Sequence, residues 1–561
     1  MIPADSDGGG FGRVKRTRGV AFRYLALAAS NVGILALASL IAFVVWDAFG
    51  LWSAGIGWYS IFGVTVVVPL AAFVVYASKH PPVATAGLEL LSATLGGLMG
   101  AVMLVVMVLV VAGSGVWFAY VVTVAAPIAL LQLIGATDPT VKRWTSVLSL
   151  VTIVLGPIAG TLLLGPLSTV AALLGAPGVF FCTIVVPAAG VLWYTLERRY
   201  EYGRRVSIAA AVALPVIAIV AVPIVDRIAI VSRSAWLVLL VSIGIPVAVA
   251  TANTARDPDR RGGFALPVIV VGGLLVGRLL VDLLDGVVPI IDVSRPQPWF
   301  DWQFLTSAPS TSIAEVAGMY PQIVGSIFLI VVVAVLTFGL GVGAAIYLEE
   351  YAPSGGWAGR IVRFIRINIS NLAGVPSVVY GLLGLGIFVQ MRVSAVTIGP
   401  LTIGPYTGFG VGTVISAAFT LSLLILPIVI ISAQEAIQSV PDSMREASYG
   451  MGATRWQTIR NVVIPESMGG ILTGTILALG RAIGETAPLL LIGAAAVSFS
   501  PPTELFGTLT AMPLLVYRTA FFPADAFRHG VTAAGVVTLL LILLTINSIA
   551  IVLRDRFETE A

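Results

Sequence analysis

Unbroken apolar runs of membrane-crossing length recur along this chain, such as RYLALAASNVGILALASLIAFVVW at 23–46, and they leave it very few folds. A hydrocarbon core about 30 Å thick takes roughly 20 apolar residues per helical crossing. Lipid offers no partners to backbone N–H and C=O groups, so a spanning segment must satisfy them internally, as a helix or inside a closed barrel. Barrel strands alternate apolar and polar positions, and these runs are continuous. The chain therefore reads as an all-α polytopic membrane protein. Only 10% of its residues are charged and 58% are apolar, far from the roughly 25% charged of soluble domains.

Hydropathy and the placement of Arg and Lys predict about fourteen crossings. Those ahead of TARDPDRRGG (254–263) fall near 22–48, 57–77, 86–112, 116–136, 145–170, 178–196, 206–225 and 234–253. Those after it fall near 264–286, 322–347, 372–391, 408–433, 466–497 and 531–553. That hydrophilic, turn-rich linker marks the expected domain boundary. It divides a tail (1–21) and an N-terminal membrane region of about eight helices (22–255) from a second region of about six (256–561). The apolar run behind the basic amino terminus exceeds the roughly 7–15 residues of a cleavable signal, so a retained first helix is expected. Basic clusters fall on alternate loops, with Arg227, Arg233, Arg295, Arg392, Arg518 and Arg528 as exceptions, which predicts cytoplasmic termini in a plasma-membrane protein.

The same distribution places cations at helix ends rather than in one stripe, which argues against nucleic acid as a partner and leaves membrane lipid as the general one. Cys182 is the sole cysteine, so no intrachain disulfide can form, and its apolar setting predicts a small core residue. His80 and His529 lack metal-ligand spacing, and neither a metal nor a cofactor is expected. Arg278 and Asp282 are expected to pair at i, i+4 near the outer end of their helix.

One polar stretch, REASYGMGATRWQTIRNVVIPE at 445–466, interrupts the second region on its cytoplasmic side. It predicts an amphipathic surface helix from about Asp442 to Trp456, then a turn, then a membrane helix starting at Pro465. Gly450 and Gly452 would let a partner approach closely where that helix bends. The order Glu446, Ala447, Ser448, Gly452, then Val462, Ile464 and Pro465, resembles the EAA loop of permease subunits of ABC importers. That resemblance implies docking on a nucleotide-binding subunit through the 442–465 loop, with Arg445, Glu446, Ala447, Gly452 and Pro465 as coupling residues. The chain holds no G-x-x-x-x-G-K-[ST] phosphate loop around Lys15, Lys79 or Lys142. ATP hydrolysis is thus expected of a separate chain, and this one is expected not to be an enzyme.

The second informative stretch is GRAIGETAPLLL at 480–491, which places Arg481 and Glu485 within the predicted 466–497 crossing. Each such charge costs about 2.5–3.5 kcal/mol on insertion scales and normally faces a pathway or another charge. Arginine's planar fork suits a multivalent oxyanion, with Glu485 balancing it when the path is empty; a structural ion pair between helices is the other reading.

GETAPL after an Arg, NLAGVPSVVYGLLGLG at 371–386 and AIYLEEYA at 345–352 together resemble the PstA-type permeases of phosphate-specific ABC importers, within the MetI-like permease family. The resemblance covers about 260–561 and implies a six-helix core that conducts phosphate past Arg481 and Glu485. It implies an ATPase dimer, a second permease of PstC type and an extracytoplasmic phosphate-binding protein as partners. The N-terminal region departs from that pattern and carries no second EAA-type segment. Another oxyanion such as sulfate or molybdate, or a phosphate sensor built on a permease scaffold, are the competing readings.

Overall fold

The computed structural model describes residues 16–560 apart from 106–112, 138–144, 146–147, 150–151, 153–154, 157–158, 161, 199–202, 229–231, 286–291, 354, 392–395, 399–400, 404–407 and 495–496. The described residues are helical throughout, save loops and a small antiparallel hairpin of Val396–Ile398 with Leu401–Ile403. Eleven helices are long and apolar enough to cross a membrane, or 12 if the bent pair Gly356–Ala373 and Ser377–Gln390 is one span.

Among the described residues that count does not reach the expected fourteen, some of whose spans lie partly outside them. Ahead of the linker the described residues give six such helices: Phe22–Ala48, Ile56–Ala77, Gly113–Gln132, Leu164–Glu197, Arg204–Asp226 and Arg233–Arg256. The predicted 178–196 span is the second limb of Leu164–Glu197, which bends where Gly175 takes φ 67°. Much of the predicted 145–170 span, and 106–112 of the 86–112 span, lie outside the described residues. After the linker come Pro258–Leu284, Tyr320–Tyr351, the bent pair, Val414–Gln438, Arg455–Ile483 and Ala526–Ser548.

The packed centre lies late in the chain. In its most apolar stretch Val414–Gln438 is 67% buried, against 44% for Tyr320–Tyr351 and Ala526–Ser548 and at most 22% for every span before residue 285. Val414–Gln438 packs between Tyr320–Ile346 and Ile464–Ile483, with Leu421, Ile425 and Val429 in one continuous apolar core. The earlier spans turn Leu, Val, Ile and Phe outward, an arrangement that costs nothing where the surroundings are lipid tails.

The two regions are joined at both ends. Helix Arg16–Ala48 packs along Thr532–Glu560, and buried Asp47 accepts the Trp52 indole N–H at 2.6 Å while facing His529 Nδ1 at 3.5 Å. The linker folds as the tight turn Pro258–Phe264, capped by Asp257, and packs on helix Pro81–Leu104, where Arg260 pairs with Glu89. Helix Gly273–Leu284 leans on Ile56–Phe62 so closely that a Cβ at Gly277 would stand 2.7 Å from the Phe62 ring.

Two local expectations are corrected. Asp282 pairs with Arg295 at 2.8 Å, which also reaches Asp285 at 3.3 Å, rather than with Arg278. An i, i+4 pair adds only about 0.2–0.5 kcal/mol, and the loop-borne Arg295 reaches two carboxylates at once. Cys182 is exposed rather than a core residue, because it falls on the outward face of a helix whose Phe180 and Val185 point inward.

Candidate functional site

The polar segment folds as two short helices at a sharp corner. Pro441 leads into Asp442–Gly450, with the Asp442 carboxylate in the first turn, where the helix dipole favours it. The helix stops at Gly450 and does not run on to Trp456 as the pattern suggested. Its end is a Schellman arrangement: Gly452 N–H donates to Tyr449 O at 2.9 Å and Ala453 N–H to Ser448 O at 3.2 Å. Such an ending needs a left-handed residue, and Gly452 has φ +84°. Thr454 then caps a new helix reciprocally with Gln457, so Trp456 belongs to the helical run Arg455–Ile483. Pro465 accordingly sits inside that run instead of starting it, as a first-turn residue of Ile464–Ile483 directly after a widened turn at Ile459–Val463.

Ser448 and Thr458, both buried, join their hydroxyls at 2.8 Å and fix the corner. Arg445 points inward: it pairs with Glu350 and donates to Ile437 O at 2.8 Å. Glu446, Ala447, Gly452 and Pro465 stay on the surface. So do Met444, Tyr449, Trp456 and Met451, the last 83% exposed. A short charged helix edged by exposed Met and aromatic side chains has the composition of a protein-binding face.

Arg481 and Glu485 lie close, at 3.3 Å, but not on one continuous helix. The expected 466–497 crossing ends at Ile483; Gly484 caps it, and a short helix Ala487–Leu491 restarts with Pro488 in its first turn. Glu485 therefore lies in the break, and Arg481 in the last turn, where a cation complements the helix dipole. The Arg481 side chain is 47% exposed and that of Glu485 16%, whereas neighbouring Ala482 and Ile483 are buried. Arg481 thus turns away from the packed core, while Glu485 is largely covered in the break.

Two further interruptions gather beside this one. Gly374–Pro376 breaks the bent pair by 109°, since proline denies the next turn its N–H and disfavours helix before it. The helix after that break, Ser377–Gly384, packs on Ala487–Leu491, where a Cβ at Gly381 would stand 2.7 Å from Pro488 Cα. The loop carrying Gly408, Gly410 and Gly412, all at positive φ, lies across both: Phe409 N–H donates to Phe388 O at 2.7 Å, and Gly412 N–H to Ile492 O at 2.9 Å. The expected 408–433 crossing took this loop as its first turn, whereas the helix starts at Val414, after the positive-φ glycines. The loop's signal was GFGVG, alternate glycines ahead of an apolar run.

Residues 339–559 match the family described as "Binding-protein-dependent transport system inner membrane component", a match that contains the corner, the breaks and the charged pair. The chain is 32% identical over 264 residues to the probable ABC transporter permease protein YqgI of Bacillus subtilis (strain 168), covering 47% of this chain and 79% of that one. It is 34% identical over 239 residues to the phosphate transport system permease protein PstA 1 of Mycobacterium tuberculosis (strain CDC 1551 / Oshkosh), covering 42% and 70%. It is 30% identical over 278 residues to the phosphate transport system permease protein PstC of Mesorhizobium japonicum, covering 47% and 80%.

Proposed function

Since this chain belongs to the MetI-like ABC permease family of binding-protein-dependent transport system inner membrane components, we propose that it is the permease subunit of an ATP-driven importer of inorganic phosphate. The observation that carries the anion is Arg481, turned away from the core at a helix break and, among the described residues, paired with the carboxylate of Glu485. A half-exposed arginine in a spanning segment calls for a pathway or a partner, and a second permease facing this surface would close a path between the two chains. Resemblance to proteins named as phosphate transport permeases supports phosphate as the cargo.

In this reading the exposed face of Asp442–Gly450 docks on an ATPase subunit, one of two, and an extracytoplasmic binding protein delivers the anion. Closure of the ATPase dimer on ATP moves the corner and turns the helices around Val414–Gln438 until the path past Arg481 opens outward; hydrolysis resets it inward. Cytoplasmic termini belong to the same reading, since in the sequence the positive-inside bias assigns the basic clusters at 13–18 and 445–460 to one side. Residues 256–561 form the proposed permease core, and 22–255 an accessory membrane region beside it.

Uptake of labelled phosphate into vesicles carrying the assembled transporter tests the proposal. ATP-dependent uptake that disappears in Arg481→Gln and resists competing sulfate is the expected result. Uptake blocked by sulfate moves the cargo to another oxyanion, unchanged uptake in Arg481→Gln removes the path, and no parental uptake favours a sensor.

A further inference from the structure

Two adjacent carboxylates, Glu349 and Glu350, end the spanning helix Tyr320–Tyr351 and grip different elements. The widened turn Tyr347–Tyr351 splays them apart. Glu349 accepts from Arg366 Nη1 at 2.7 Å and from Gln434 Nε2, tying the turn to helices Gly356–Ala373 and Val414–Gln438. Glu350, 5% exposed, meets Arg445 of the surface helix, 95 positions further along the chain. The other arm of the Arg445 guanidinium holds the Ile437 carbonyl, in the last turn of Val414–Gln438. Arg455 of the following helix lies over the Tyr351 ring, 5.2 Å from its centroid. Among the described residues, Glu350 and Asp47 are the two buried acids.

A carboxylate taken out of water needs its partner, and removing either member of a buried pair leaves an uncompensated charge. The surface helix therefore cannot slide relative to the end of Tyr320–Tyr351 without exposing or orphaning Glu350. Arginine's fork makes the joint directional, because one arm on a carboxylate and the other on a carbonyl fix the guanidinium plane. The exposed residues of Asp442–Gly450 are left free for a partner, while its inward charge is committed to the spanning helices Tyr320–Tyr351 and Val414–Gln438.

We propose that Glu350 is a positioning residue that, through Arg445, makes the surface helix and the spanning helix Tyr320–Tyr351 move as one body and so delivers the partner's ATP-driven stroke to the transport path. This rests on the permease reading above and adds the route of the stroke within this chain. Glu349, held by Arg366 and Gln434, keeps the receiving end in register.

The test uses the complete transporter in proteoliposomes, measuring labelled phosphate taken up per ATP hydrolysed for the parental chain, Glu350→Gln, Arg445→Lys and the double variant Glu350→Arg/Arg445→Glu. Glu350→Gln is expected to cut uptake per ATP about tenfold, a typical size for coupling between sites, while assembly and ATP hydrolysis persist. Arg445→Lys keeps the charge but loses the fork and should fall between; the double variant should recover part of the ratio, which a purely structural role would not give. A parental ratio in Glu350→Gln overturns the link, as does equal loss of hydrolysis and uptake without recovery in the double variant. If the parental complex moves no phosphate, the transport reading fails. The link is then read by amide exchange across 442–450 in the isolated chain, which Glu350→Gln must accelerate and the double variant restore.

Discussion

Replacing Gly452 by alanine isolates the one backbone requirement of the corner between the two short helices. A Cβ at Gly452 meets nothing within 4 Å, so packing contributes nothing and the effect is conformational. Holding an L-residue in the left-handed region costs about 1–2 kcal/mol, and the lost freedom of the unfolded chain returns about 0.4–1 kcal/mol. The net is about 1 kcal/mol against the native corner, or about a fivefold gain in local opening. Gly450, two positions earlier, is also unobstructed but is the last residue of the helix, in right-handed helical conformation. There alanine should favour the helix, by less than the ~1 kcal/mol of an interior position. Amide hydrogen exchange of peptides spanning 442–458 in the detergent-solubilised chain reads both: Gly452→Ala should exchange about fivefold faster and Gly450→Ala more slowly. Exchange in Gly452→Ala no faster than the parent, or both variants moving the same way, would refute the reasoning.

Asp47→Ala strips the Trp52 indole N–H of its acceptor and removes the carboxylate facing His529. It should cost about 1–3 kcal/mol, seen as a lower melting temperature in detergent; an unchanged transition would show that the first helix is not held there. Deletion of residues 1–255 removes Phe62 and Thr65 from the backbone at Gly273 and Gly277, together with the Arg16–Ala48 helix from Thr532–Glu560. Size-exclusion chromatography should then show aggregated material, and a monodisperse, transport-competent core would overturn that expectation.

Sequence alone determined the class of this protein, because membrane insertion sums apolar transfer over about 20 consecutive residues and such a sum is local. The family features were legible for the same reason: the order Glu446, Ala447, Ser448, Gly452 and the Arg481/Glu485 spacing are short-range patterns. Hydropathy registers apolar length but not backbone geometry, so it could not show the break at Gly175. It also carried one helix through Gly484, where glycine, then Pro488, ends the turn. Tertiary structure decided what each charge meets. Arg445 finds Glu350 at 95 positions' distance, and Asp282 takes Arg295 over its helical neighbour Arg278. Helical pairing is worth a few tenths of a kcal/mol, whereas a buried carboxylate must be met by whatever cation the fold brings to it. Local periodicity cannot see that partner; only the packing of distant helices supplies it.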